Sequence, residues 1–179
     1  NTYVILYSDH GFHLGEKEKW AKRSLWKNST KVPLIISGPG IPEGETCDLP
    51  VQLLDIYPTL LELSGLASDP IHQGNSLVPI LKKGASEWPY VARTSIGPGN
   101  YSIVSKNYRF IQYNDNTAEL YDRINDPNEW YNLINNPDLS DVIEEHRNKI
   151  PNQRHEILGD GSLGHESYSF SEKGILDPN

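Results

Sequence analysis

The chain opens on Asn1-Thr2-Tyr3-Val4-Ile5-Leu6-Tyr7-Ser8, a continuous β-branched and aromatic run that ends at Ser8-Asp9-His10-Gly11. An unbroken run of this kind, with no polar alternation, suits a strand buried on both faces of a parallel sheet. Such a strand needs neighbours on both sides, and this chain offers no obvious ones. The expectation is therefore a chain that starts within a larger α/β domain, with any targeting signal upstream. Gly11 permits the sharp exit from the strand tip. In open α/β sheets, ligands bind beyond the carboxyl ends of the strands. Asp9 and His10 stand at such an end, one offering a carboxylate oxygen and the other an imidazole nitrogen, both suitable for a divalent cation. A capping or hydrogen-bonding pair in a turn is the alternative reading of two such residues.

Downstream, the pattern predicts a short helix or helical turn within 16–27, from the spacing of Trp20, Leu25 and Trp26. Val32-Pro33-Leu34-Ile35-Ile36-Ser37 reads as a second apolar strand, closed by Gly38-Pro39-Gly40. Residues 51–64 carry leucines at helical spacing, and Gly65 stands as the stop. The segment 74–81 reads as a connector with apolar anchors. Then the character changes: residues 91–96, 100–106, 108–114 and 118–122 read as short strands of an antiparallel sheet. Gly97-Pro98-Gly99 and Asn114-Asp115-Asn116 provide turns between them. A charged helix is expected over 138–149. The resulting organisation is α/β over 1–90, an antiparallel-sheet and helix subdomain over 91–150, and an extended tail over 151–179.

The net charge of −8 argues against general nucleic-acid binding. No apolar stretch is long enough to span a bilayer. Yet Lys17, Lys19, Lys22, Arg23, Lys27 and Lys31 crowd one short segment, and such a cluster can attract an anion. A solvated face with Glu16 and Glu18 as partners accounts for the same charges. The lone Cys47 reads as a buried structural thiol.

Several blocks agree with one family. Ser8-Asp9-His10-Gly11, followed by Leu14-Gly15-Glu16, Trp20, Lys22 and Val32-Pro33-Leu34-Ile35, resembles the metal-binding segment of type I sulfatases. The likeness is nearest to the iduronate-2-sulfatase-like branch of the alkaline phosphatase superfamily. Asp55-Ile56-Tyr57-Pro58-Thr59-Leu60-Leu61-Glu62-Leu63-Ser64-Gly65 belongs to the same pattern. So do Glu119-Leu120-Tyr121-Asp122 and Asn125-Asp126-Pro127-Asn128-Glu129-Trp130 with Asn132-Leu133.

The resemblance implies an alkaline-phosphatase-like α/β fold and hydrolysis of a sulfate ester, with a sulfated carbohydrate as substrate. It implies a formylglycine nucleophile, a calcium ion (or magnesium), and a secreted, periplasmic or lysosomal location. By the same resemblance Asp9 and His10 are metal ligands and Lys22 is the catalytic lysine that holds a sulfate oxygen. His13 and Trp20 are candidate substrate contacts, as are Asn100 and Tyr101, where related sulfatases often carry Asn-His. For His13 the alternative is an exposed loop histidine, and for Trp20 packing under the loop. Lys17 and Lys19 read as rim charges, and His72, His146, His155 and His165 as structural or solvated.

The formylglycine motif needs Cys or Ser, Pro two residues on and Arg four on. Cys47 is followed at those places by Leu49 and Val51, so this chain holds no nucleophile. The nucleophile and the remaining metal carboxylates are expected upstream, in the missing N-terminal part of the enzyme, and the chain by itself is expected to be inactive. A phosphonate or phosphate-ester hydrolase of the same superfamily, or a non-catalytic carbohydrate-binding fragment, are the competing readings.

Overall fold

In the computed structural model, residues 1–84 and 88–152 are described. The tail expected over 151–179, with His155 and His165, lies almost wholly outside them.

The C-terminal sheet follows directly from sequence alternation. Strands β5 (Ala92–Ser95), β6 (Tyr101–Val104), β7 (Tyr108–Gln112) and β8 (Ala118–Asp122), numbered after the four N-terminal strands given below, form one antiparallel sheet in chain order. Side chains in a strand point alternately to opposite faces. The register aligns Ile103 with Phe110 and Phe110 with Leu120, so these three stack on one face, all fully buried. Helix α4 (Ser140–Arg147) covers that face with Val142 and Ile143, and Leu133, Ile134, Leu139 and Ile150 pack beside them. Alternation sends Ser102, Arg109, Ile111, Glu119 and Tyr121 to the other face. There Ile111 and Tyr121 pack on Leu25 and Trp26 from the N-terminal half.

That half is assembled from shorter pieces. Helix α2 (Ile56–Leu63) starts from a capping box. The Asp55 carboxylate accepts the Gln52 amide at 3.0 Å, and Gly65, at φ 70°, ends the helix in the left-handed region. Buried Thr59 donates to the Asp55 carbonyl at 2.6 Å and accepts the Leu77 amide at 2.8 Å, fastening α2 to the start of helix α3 (Val78–Lys83). The connector expected over 74–81 thus contains a helix.

Three expectations are corrected. Strand β1 (Val4–Tyr7) pairs antiparallel with β4 (Leu34–Ser37), not within a parallel sheet. Among the described residues these two strands form a sheet of their own, which leaves Val4, Leu6, Tyr7 and Ile35 exposed. The short helix or helical turn expected over 16–27 is present only as a tight 3-10 turn at Glu16–Glu18, enclosed by a small hairpin of β2 (His13–Leu14) and β3 (Trp20–Ala21), and the α-helix α1 begins later, at Lys27–Thr30. Left-handed φ values at Gly15, Lys17, Glu18 and Ala21 are the reason, since no α-helix passes through that region. Cys47 is exposed, not a buried thiol.

Candidate active site

The turn after β1 is set by local bonds. The Ser8 hydroxyl donates to the His10 carbonyl at 2.8 Å, and the Gly11 amide donates to the Ser29 carbonyl at 2.8 Å. Glycine is required at position 11 by proximity: a Cβ there would stand 1.9 Å from the Asn28 carbonyl oxygen. This contact seats the Asp9-His10 turn against α1.

The two side chains then face one spot. His10 Nδ1 lies 2.8 Å from the Gly11 carbonyl, which can only accept, so Nδ1 carries the proton. The lone pair is left on Nε2, the nitrogen turned outward. Asp9 Oδ2 is 3.7 Å from Nε2, and Lys22 Nζ, arriving from the end of the hairpin, is 2.9 Å from it. Carboxylate, imidazole and ammonium thus meet at one point, with the Asp9 side chain 81 % exposed and His10 36 %. The point opens into a broad cleft whose walls include Arg23, Arg93 and Tyr101. The cleft wall carries charges of both signs, and of its cations Lys22 and Arg23 are the nearest to His10 along the chain and can attract an anionic ligand there.

The other sequence-selected residues are distributed differently. His13 is buried, with Nε2 2.9 Å from Ser24 Oγ and Nδ1 3.2 Å from the Glu16 carbonyl, and its ring meets Trp26 edge-on. Both ring nitrogens are engaged within the chain, so His13 pins the loop, and the alternative reading of it as an exposed loop histidine does not hold. Trp20 is 68 % exposed and lies on the hairpin beside Gly15. Asn100 ties two turns together: its amide donates to the Pro98 carbonyl at 3.2 Å and its oxygen accepts the Asn114 amide at 3.1 Å. Tyr101, half-buried, forms part of the cleft wall. Lys17 is not a rim charge: its ammonium reaches the Tyr121 hydroxyl at 3.0 Å and sits over the Tyr121 and Trp26 rings.

What sequence reasoning missed is the support beneath the site. Arg109 and Glu129, both buried, pair at 2.5 Å. Glu129 also accepts the Lys27 amide at 2.9 Å, and Arg109 donates to the Leu25 carbonyl at 3.2 Å and to Ser102 Oγ at 2.8 Å. Burial pulls the Arg109 guanidinium below its ordinary pKa, and the Glu129 carboxylate opposes that. The available signal was an arginine amid the apolar residues of β7, a position that calls for a buried carboxylate.

The donor set of the turn suits a divalent cation in kind: one carboxylate oxygen and one imidazole nitrogen with a free lone pair. It is incomplete, because no group of three or more His, Cys, Asp or Glu among the described residues is placed to hold a metal. Calcium takes about six to eight ligands, so other donors must complete the shell.

Residues 15–156 match the family model described as N-sulphoglucosamine sulphohydrolase, C-terminal. A sulfatase of Formosa agariphila is 44 % identical over 151 residues, which is 84 % of this chain and 30 % of that protein. Among solved structures, one in complex with its substrate D-glucosamine-2-N,6-O-disulfate superposes with a TM-score of 0.71 at 25 % identity, covering 86 % of this chain and 36 % of the other. A phosphonate monoester hydrolase of Agrobacterium radiobacter superposes with a TM-score of 0.68 at 26 % identity, over 82 % of this chain and 34 % of that one. The chain therefore spans about a third of the length of the proteins it matches.

Proposed function

We propose, for a chain that belongs to the N-sulphoglucosamine sulphohydrolase C-terminal family, that it supplies part of the anion site of a longer sulfatase. The substrate in this reading is a sulfate ester on a carbohydrate. The observation that carries it is the convergence at His10, where Lys22 Nζ stands 2.9 Å from Nε2 and Asp9 Oδ2 3.7 Å from it.

Ester hydrolysis breaks the sulfur–oxygen bond, consumes one water, and releases the alcohol and sulfate. Negative charge grows on oxygen as the leaving group departs. Lys22 holds a sulfate oxygen in this reading: a compact ammonium fixed beside the site offsets charge on the transferring group without reorganising. Asp9 and His10 would hold a divalent cation, calcium in the family resemblance, which supplies Lewis-acid polarisation of the sulfate oxygens when bound. The Gly11 carbonyl fixes the histidine tautomer that leaves Nε2 able to ligate. With His10 Nε2 engaged as a ligand, Lys22 Nζ, which now stands 2.9 Å from it, would be left for the anion. The nucleophile and the remaining ligands belong to the upstream part of the enzyme. The uncovered apolar residues Val4, Leu6 and Ile35 on the β1–β4 pair support packing of that part against them. Formylglycine as nucleophile, and export from the cytosol, follow the family resemblance.

Likeness to a phosphonate monoester hydrolase favours one further reading, since a tetrahedral phosphonate ester would meet the same three groups. The full-length enzyme carrying this chain is to be assayed on an aryl sulfate, on sulfated sugars and on an aryl phosphonate ester. Sulfate esters are expected to turn over faster, and Asp9→Ala to lower that turnover by at least about 100-fold. Turnover unchanged in Asp9→Ala would refute the assignment, and a preference for the phosphonate would replace it by the second reading.

A further inference from the structure

The segment that delivers Lys22 is held in a conformation that its own sequence disfavours. Lys17, Glu18 and Ala21 have φ of 54°, 55° and 82°, in the left-handed region that side chains rarely adopt. Strain of this kind persists only where surrounding contacts over-determine the backbone. Within the hairpin, the Glu16 carboxylate accepts the Leu14 amide at 2.7 Å, and the Gly15 amide reaches the Lys19 carbonyl at 3.0 Å.

The stronger tie runs to the C-terminal sheet. Lys17 Nζ donates to the Tyr121 hydroxyl at 3.0 Å and lies 4.3 Å from the centre of the Tyr121 ring and 5.0 Å from that of Trp26. The Tyr121 hydroxyl donates onward to Glu119 Oε2 at 2.9 Å. The same oxygen accepts Trp26 Nε1 at 2.7 Å, while Tyr113 donates to Oε1 at 3.1 Å. One carboxylate on β8 therefore grips the loop at two points, through Tyr121 at residue 17 and directly at residue 26. Lys22 lies between them.

An ammonium drawn half out of water is a poor choice for solubility, and an apolar side chain would fill the same space with less desolvation. Burial lowers the Lys17 pKa against the opposing pull of Glu119, Glu129 and Asp126. What the charge adds is direction: it can sit at one place only, on the Tyr121 hydroxyl and over two ring faces.

We propose that Lys17 and Glu119 are positioning residues for Lys22, linked through Tyr121 and Trp26 into a clamp that sets where the Lys22 ammonium stands. The inference rests on the reading of Lys22 as the anion-binding lysine. Lys17 and Glu119 themselves touch no reacting group.

The test uses the full-length enzyme and a sulfate ester substrate, with Lys22→Met as the reference. Lys22→Met is expected to lower kcat by on the order of 100- to 1000-fold. Lys17→Met, and separately Tyr121→Phe, which keeps the buried ring and removes only the hydroxyl, are expected to lower kcat roughly 10- to 100-fold. KM and the melting temperature should change little in both. Lys17→Arg, which keeps a cation over the rings, is expected to recover most of the loss. In a Lys22→Met background, Lys17→Met should have no further effect, because its action passes through Lys22.

Full kcat in both Lys17→Met and Tyr121→Phe, beside a crippled Lys22→Met, would overturn the clamp and leave the proposed function standing. An undiminished Lys17→Met effect in the Lys22→Met background would overturn it as well. Full activity in Lys22→Met would remove the proposed function, and the clamp with it.

Discussion

Replacing Glu129 by alanine tests the joint between the site loop and the sheet beneath it. Glu129 and Arg109 are 2 % and 4 % exposed, so neither charge is screened by water. Truncating Glu129 leaves the Arg109 guanidinium buried without its counter-charge and the Lys27 amide without its acceptor. Breaking a buried pair from one side costs about 3–5 kcal/mol. For a domain of this size the melting temperature should fall by roughly 6–20 °C. The paired replacement Arg109→Met with Glu129→Leu removes both charges at once. It leaves the Lys27 amide, the Leu25 carbonyl and the Ser102 hydroxyl to find other partners, about 1 kcal/mol each, less in sum than the upper part of the one-sided loss. The double variant is therefore expected to be more stable than Glu129→Ala alone. Urea unfolding of the parent, Arg109→Met, Glu129→Leu and the double variant measures the coupling directly. A loss below about 1 kcal/mol in Glu129→Ala, or strict additivity in the cycle, would refute the reasoning.

Two further substitutions probe the frame. Gly11→Ala places a Cβ 1.9 Å from the Asn28 carbonyl; it should cost about 1–3 kcal/mol in urea unfolding and displace His10 enough to reduce sulfate-ester turnover by more than about tenfold. Thr59→Val removes the acceptor of the Leu77 amide and the donor to the Asp55 carbonyl. A loss of about 1–3 kcal/mol is expected by the same measurement, and one below about 0.5 kcal/mol would mean that the freed groups found other partners.

The parts of the fold legible in the sequence are those whose pattern repeats locally. Alternation through 101–122 fixes which residues of β6, β7 and β8 share a face, and short turns make antiparallel neighbours the natural outcome. Leucine spacing and Gly65 do the same for α2. The opening apolar run specifies a strand but carries no information about its partner, and the antiparallel pairing of Val4 with Ser37 was not readable from it. The hairpin at 13–21 was hidden for another reason. Trp20, Leu25 and Trp26 have helical spacing, but side-chain spacing carries no sign of the left-handed backbone at Lys17, Glu18 and Ala21 that breaks a helix there.

The site divides along the same line. Asp9 and His10 were marked by their place at a strand end, whereas Lys22 was reached through resemblance, because a spacing of a dozen residues between a histidine and a lysine encodes no contact by itself. Residues that only the fold could reveal are those whose partners lie far along the chain. Lys17 finds Tyr121 across 104 positions, Lys27 finds Glu129 across 102, and Trp26 finds Glu119 across 93. Two of these ties, to Tyr121 and Glu119, join the loop around Lys22 to one sheet face, that of Ser102, Arg109, Ile111, Glu119 and Tyr121, and the third reaches Arg109 on that face through Glu129, in the turn after β8. A two-residue period predicts that these side chains share a face, but it treats their polar members as solvent-facing. Arg109 and Tyr121 are in fact buried, and Glu119 half-buried, because the loop lies on them. A sheet face with one arginine, one carboxylate and a tyrosine hydroxyl is costly to bury unless every group is matched. The loop that carries Lys22 supplies the ammonium for the tyrosine hydroxyl, the indole for the carboxylate and the Leu25 carbonyl for the arginine, which Glu129 also neutralises, so burial of the face and placement of the lysine are a single requirement.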